Sequence, residues 1–476
     1  MKKLMILSLV LAMMVIPFSG YTGNDTPERP KYIFYFIGDG MGLAQASATE
    51  AYLSAIQGKI GFEKLALSTL PVQSFYTTFS ESHFITCSSA GGTAISCGIK
   101  TSNGTICMDS AHMLSYTSIA EMARDRQMKV GIITSVSLDH ATPACFYAHQ
   151  FKRSSYYEIS QELATSGFNF FGGGGFLKHE GYKEGDKNSL NLAHELGYKI
   201  VNSREDFTGL RRGDDKVIAI SPVLQDGESL PYLIDGIKGG ISLAEFTGKA
   251  IELLDNKNGF FLMVEGGKID WACHGNDAAT AIKEVIDFDE SIKLALDFYN
   301  EHPDETLILV MADHETGGMS LGTDGMIPRK AYGLLSYQKC SQGVFSEKVA
   351  GYRENPATAN LSFVAILDTV RFYFGLGNED IPLNEADMDS LKKAYTISLG
   401  GSGSGEKVDL LYGSVEPLAI ACTKILSEKA GIGWTTSNHT AIPVPLRALG
   451  VGQEQFTGYM DNTDISRKLI WMLGWD

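Results

Sequence analysis

The chain has 476 residues, 44% of them hydrophobic, enough for a large buried core. Asp and Glu number 56 against 40 Lys and Arg, a formal net charge of −16, and no basic stripe interrupts that excess. The balance excludes a nucleic-acid reader, and an anionic ligand would have to be drawn in by local cations such as bound metal ions.

Residues 1–20 read as a secretory signal peptide. Met1, Lys2 and Lys3 make a positive start, residues 4–15 are apolar apart from Ser8, and Pro17, Ser19 and Gly20 form a processing region. The apolar stretch is too short to span a bilayer comfortably, and no Cys follows it to take a lipid. The expectation is an exported, periplasmic protein without stable membrane insertion, with an uncleaved anchor as the competing reading. The seven cysteines are an odd number for such a chain, so at least one stays unpaired. A Cys97–Cys107 pair is open, and most of the others read as small buried hydrophobes.

From residue 34 to 318, strand and helix patterns alternate in the βαβ manner. Four apolar runs end in metal-binding residue types: YIFYFIG before Asp39, VGIITSV before His140 and Thr142, GFFLMV before Glu265, and TLILVMA before Asp313 and His314. Continuous apolar runs predict strands buried on both faces, and ligands in such sheets sit beyond the carboxyl ends of the strands. One acid after a strand is an ordinary turn former. Four sites that together supply Asp, Glu, His and Thr point to one metal-binding crevice. Over residues 279–299, Ile282, Val285, Ile286, Ile292, Leu296 and Tyr299 recur at helical spacing, with Lys283, Glu284 and Lys293 facing away.

Between these runs lie further chemical segments. TCSSAGGTAISCGIKTSNG, from Thr86, lets a helix start tightly, and a serine at that start can meet a phosphoryl group. Read alone, a Ser88-Ser89 pair before a helix is usually just a cap. In DHATPACFYAHQFKR, Thr142 offers a hydroxyl and Arg153 a fork for phosphate, although a single arginine is usually solvated. VEGGKIDWACHG is more specific, because Asp270 and His274 at i, i+4 share one helical face and mixed Asp/His ligation suits zinc. His439, in WTTSNHTAIPVP, is a lone loop histidine whose case rests on the other segments. Residues 325–430 contain helical patches at 363–374 and 388–395 and the flexible run GGSGSG at 400–405. That segment reads as a cap or crown inserted within a catalytic body of residues 30–476, or as a tolerated surface insertion.

In order along the chain, FIGDGMG, the Ser88 run with GIKT, ATPA, AHQFKR, FFGGGG at 170–175, LAEFTGKAIELL at 243–254, VEGGKIDWACH, ADHETGG and the late NHT resemble the alkaline phosphatase family over residues 31–474. The resemblance implies an α/β fold with a large, mostly parallel central sheet flanked by helices on both faces. It implies hydrolysis of small phosphate monoesters, an assembly compatible with a homodimer, two Zn2+ ions and one Mg2+ ion. Asp270, His274 and His439 would hold one zinc; Asp39, Asp313 and His314 the second, with Ser88 as nucleophile on it; Asp39, Thr142 and Glu265 the magnesium. Arg153 would grip two phosphate oxygens. The chain departs from the family pattern at Cys87, where Asp is frequent, and has His140 and Trp271 near the third metal, which leaves that ion's identity open. Sulfatase chemistry needs a CxPxR segment, and the stretch beginning at Cys87 lacks both Pro and Arg. A phosphodiesterase of the same superfamily and a non-catalytic exported metal- or phosphate-binding protein are the remaining alternatives; the second has no use for a nucleophile.

Overall fold

The computed structural model describes residues 29–323, 331–358, 361–400, 405–411 and 413–475. The signal-peptide reading of residues 1–20 lies outside them. No helix among the described residues is long and apolar enough to cross a membrane.

One ten-stranded sheet organises the chain. Its strands are β1 (Tyr32–Ile37), β2 (Val72–Thr77), β3 (Lys129–Thr134), β4 (Phe170–Gly173), β5 (Lys199–Val201), β6 (Val217–Ile220), β7 (Phe260–Glu265), β8 (Thr306–Met311), β9 (Val444–Gly450) and β10 (Tyr459–Asp461). They lie in the order β10-β2-β9-β8-β1-β7-β3-β4-β6-β5. β9 alone runs against its neighbours; the other pairings are parallel. The fold class implied by the sequence is the one observed. β1, β7 and β8 are buried at every position, as their unbroken apolar runs require, and helices cover both faces. Among them, Ala278–Glu301 sets Phe298 against Phe34 and Phe260, with ring centroids 5.5 Å apart in both pairs.

Register places the site. Ile37 on β1 pairs with Glu265 on β7 and with Met311 on β8, and Thr134 on β3 pairs with Glu265. The four strands therefore end level, and the residues that follow them open into one crevice.

Six strands were not visible as apolar runs. β2 alternates buried and exposed positions, β4 is only FFGG, and β9 carries the buried Arg447. Within the 325–430 segment the helices are Gln342–Glu354, Phe363–Phe374, Glu385–Leu399 and Pro417–Lys429. They gather Phe345, Val370, Phe374, Leu391 and Leu418 into a second hydrophobic cluster that also touches Tyr52 and Ile282. Thr142, expected before a proline turn, lies in the one-turn helix Ala141–Ala144. All seven cysteines are free, and the Cys97 and Cys107 sulfurs share a hydrogen bond at 3.4 Å.

Candidate active site

Asp39, Asp270, Asp313, Glu265 and His314 are completely buried at the carboxyl edge of the sheet, and His274 and His439 are nearly so. The helix Lys268–His274 turns Asp270 and His274 to one side, with the imidazole Nε2 3.3 Å from a carboxylate oxygen of Asp270. His439 sits in a two-residue strand paired with Glu315–Thr316, which carries it in from the far end of the chain. His274 Nδ1 donates to the Ser437 carbonyl at 2.6 Å, and His439 Nδ1 to the Thr86 carbonyl at 2.9 Å. A carbonyl only accepts, so both rings carry their proton on Nδ1 and present an Nε2 lone pair to the crevice. Those two Nε2 atoms are 3.1 Å apart, beside Asp270. Two lone pairs and a carboxylate at that range fit a cation held between them.

The second group is as tight. His314 Nε2 is 3.1 Å from Asp313 Oδ2 and 3.6 Å from Asp39 Oδ1. Thr142 Oγ1 donates to Asp39 Oδ2 at 3.2 Å. Gly40, at φ +68°, allows the chain to turn here; a Cβ on it would be 2.8 Å from Asp270 Oδ1 and from Thr316 Oγ1.

Electrostatics point the same way. Burial, reinforced by Asp313, Asp270 and Glu265, pushes Asp39 well above the ordinary carboxylate range, and burial pushes Glu265 up to about 8. Burial would also raise Asp270, but the His274, His439 and His314 imidazoles outweigh it and hold that carboxyl down. His439 is pushed down to about 4 by burial and then by His314. Among the described residues, Asp39 Oδ1, Asp270 Oδ2, Asp313 Oδ2 and Glu265 Oε1 are buried without a hydrogen-bond donor. A dry cluster with more negative charge than its imidazoles neutralise is what divalent cations stabilise.

Three sets of ligand atoms lie within 4.8 Å of one another: Asp270, His314 and His439; Asp39, Asp313 and His314; and Asp39, His140 and Glu265. Of the candidate ligands named from the sequence, Asp39, Glu265, Asp270, Asp313, His314 and His439 fall in these sets, whereas His274 is in none of the three although its Nε2 is 3.1 Å from that of His439. His314 reaches both of the first two sets, and His140 joins the third, where only Asp39, Thr142 and Glu265 were expected as direct ligands. Thr316 was also missed. It donates to Asp270 Oδ1 and contacts His314 Nδ1 at 3.2 Å, and its position inside ADHETGG was the available signal.

Ser88 is the first residue of the helix Ser88–Cys97 and no side chain caps that helix, so the cap reading of the serine pair fails. Its Oγ is 3.4 Å from His314 Nε2, whereas Ser89 Oγ turns to Cys87 Sγ at 3.1 Å. Ser88 is the serine that faces the cluster. Arg153 is half-buried; its N–H donates to the Gly104 carbonyl at 2.7 Å, and its Nη2 donates to His140 Nε2 at 3.1 Å. Cys87 Sγ accepts the Gly104 N–H at 3.1 Å, tying the nucleophile's flank to the loop behind Arg153. His140 itself is pushed down to about 3 by burial and then by Arg153.

The family model described as "Alkaline phosphatase" matches residues 30–475. "Alkaline phosphatase 3" of Bacillus subtilis is 30% identical over 96% of this chain and 94% of its own. Among solved structures, the cold-active alkaline phosphatase of a Shewanella species is 28% identical, with TM-score 0.75 over 93% of this chain and 99% of that one. The alkaline phosphatase of Thermus thermophilus is 25% identical, with TM-score 0.77 over 97% and 96%.

Proposed function

Since the chain belongs to the alkaline phosphatase family, and is by that membership a phosphomonoesterase, we propose that it cleaves small phosphate monoesters through a phosphoserine on Ser88. Asp270, His274 and His439 would hold one zinc, and Asp39, Asp313 and His314 a second. Asp39, Thr142 and Glu265 would hold a third ion, magnesium, with His140 at its side. Bound zinc would supply charge neutralisation and a lowered pKa for the attacking hydroxyl.

The residues of the chain divide the remaining work. The monoester is a dianion that repels nucleophiles, and Arg153 offers it a planar fork for two oxygens. Ser88 Oγ, at the N-terminus of its helix, attacks phosphorus in line with the departing alcohol, and the helix end favours the negative phosphoryl oxygens. Water then cleaves the phosphoserine, releasing inorganic phosphate and restoring Ser88. Burial keeps the site's charges strong. The observation that carries this reading is Ser88 Oγ at a helix start, 3.4 Å from His314 Nε2 and beside three converging ligand sets.

Residues 1–20 would direct export to the periplasm. The second hydrophobic cluster of the 325–430 segment supports reading it as a crown over the body, a place for substrate gating or for contact in a homodimer.

Metal analysis of the purified protein, with hydrolysis rates for a monoester, a diester and a sulfate ester, tests the proposal. About two zinc per chain and fastest turnover of the monoester are expected; faster turnover of the diester would overturn it.

A further inference from the structure

Three thiols lie together against the nucleophile's helix, and the chemistry proposed above uses none of them. Cys97, the last residue of the helix Ser88–Cys97, is buried, as are Cys107 and Cys145. Cys97 Sγ donates to Cys107 Sγ at 3.4 Å, and Cys107 Sγ donates to the Cys145 carbonyl at 3.0 Å. Cys107 sits at φ +43°, a left-handed conformation that residues other than glycine rarely adopt. Such a conformation persists where surrounding contacts over-determine it. Here Ile106 and Met108, on either side, bridge to Gln150 and Ser115, and the Cys107 N–H donates to Thr93 Oγ1 at 2.9 Å. The third thiol is turned elsewhere: Cys145 Sγ donates to the Ser89 and Ala141 carbonyls, 3.2 Å from each. The Cys97 and Cys107 sulfurs are about 1.4 Å from bonding distance, a gap that small turns about the Cα–Cβ bonds can close.

We propose that Cys97 and Cys107 are the site of a structural disulfide in the exported protein, a bridge that straps the loop of residues 98–106 to both ends of the nucleophile's helix. The inference rests on the export reading of residues 1–20, because an oxidising compartment is where such a bridge forms and persists. The loop reaches back to the helix start without it: Asn103 Oδ1 accepts the Cys87 N–H at 3.2 Å, and the Gly104 N–H donates to Cys87 Sγ at 3.1 Å. The bridge adds a covalent tie at the helix end. It forms by exchange with the disulfide of a protein oxidant or of a small thiol. One cysteine thiolate attacks that disulfide and expels a thiolate; the other cysteine attacks the mixed disulfide and expels the second. The two cysteines are oxidised, the donor disulfide is reduced to two thiols, and the two cysteine protons pass to the leaving sulfurs. Because both sulfurs are buried, exchange takes place while the loop is open, during folding or local opening. Closing the ring removes conformations from the unfolded chain, so the effect falls on stability.

The test reads covalent state and melting, so it stands apart from turnover. The metal-loaded full chain, purified under reductant, is incubated with oxidised glutathione, and a second sample is refolded in it from denaturant. Both are alkylated while denatured and digested without reduction, and the peptides are mapped by mass spectrometry. A Cys97–Cys107 cross-linked pair is expected, with Cys145 alkylated. The bridged protein should melt about 2–4 °C above the reduced one, and a phosphine reductant should reverse the gain. Cys97→Ser controls for any action of the reductant on the metals, and its melting temperature should not respond to oxidation or reduction. Absence of the bridge from both samples, a bridge that includes Cys145, or a melting response that survives in Cys97→Ser overturns the proposal. Retention of the full chain in the cytoplasm, read by cell fractionation, would instead count against the export reading and leave the bridge chemistry standing.

Discussion

The carboxyl edge of the sheet and the helical segment of residues 331–430 are both well packed, for opposite reasons. At the sheet edge, buried carboxylates and imidazoles crowd within a few ångströms, and four carboxylate oxygens lack donors. In the helical segment the buried side chains are apolar, with Phe345, Val370 and Leu391 at its centre. Donor-less buried carboxylates favour a bound cation, whereas apolar burial needs none. Stability and chemistry are thus assigned to different parts of one chain, and perturbations should separate them.

Metal removal should have the largest effect. Chelation should abolish turnover and expose a pH-dependent instability at the sheet edge. Without a bound cation, burial pushes Glu265 up to about 8 from its ordinary value of about 4.5, and Asp39 is raised in the same direction. A carboxyl raised by folding costs nothing below its unfolded pKa and destabilises increasingly as pH climbs to its folded pKa, by about 1.4 kcal/mol per unit. Melting of the chelated protein should therefore worsen from pH 5 to pH 8, while the reloaded protein shows no such slope. Hydrogen exchange in Phe363–Phe374 should change far less than in Lys268–His274; equal loss of protection in both would break the distinction.

Next comes the nucleophile. Ser88→Ala should lose roughly 10²-fold or more in kcat and any trappable phosphoserine, with metal content intact. Ser89→Ala should cost only a few-fold, because Ser89 Oγ bonds Cys87 away from the cluster. A reversed outcome would move the nucleophile by one position.

Phe345→Ala probes the other region. It removes a fully buried ring that packs edge-on to Phe374, with centroids 4.9 Å apart. A stability loss of about 3–5 kcal/mol is expected from denaturant unfolding, with the zinc stoichiometry of the folded protein unchanged. Loss of metal along with stability would show that the two regions are coupled.

The smallest effect concerns His149, held between Glu121 at 3.3 Å and Glu162 at 3.1 Å. Burial opposes its charge, but the two carboxylates outweigh burial and push it up to about 10. A base raised by folding stabilises fully below its unfolded pKa, near 6.5, and loses that contribution as pH rises through about 10. His149→Gln should lower the melting temperature modestly at pH 6–8 and converge with wild type above pH 10. A difference that is constant with pH would assign the loss to packing.

Much of the site was legible because the chemistry sits at strand ends. Apolar runs that are buried on both faces cannot be mistaken for amphipathic helices, and the residue after such a run falls at the crevice whatever the connections do. That logic found Asp39, Glu265, Asp313 and His314, and helical spacing linked Asp270 with His274. It was silent on β9, whose buried Arg447 breaks the apolar signature, and on β2, whose alternation is shared by any half-exposed strand. Thr316 escaped for another reason: a polar residue near a motif gives no sign of which way its side chain points.

The sequence alone determined the sheet class, the polar candidates at the strand ends and the family resemblance, because these depend on local patterning and on the order of motifs. Three things waited for the tertiary structure. Strand register set Ile37 level with Glu265 and Met311, which turns separate ligands into clusters. The pairing of His439–Thr440 with Glu315–Thr316 brought a loop histidine to the centre. Side-chain direction chose Ser88 over Ser89 and put His140 between Arg153 and the third ligand set. Each is a through-space relation between residues distant in sequence or a rotamer choice made by packing, and neither leaves a periodicity along the chain to read.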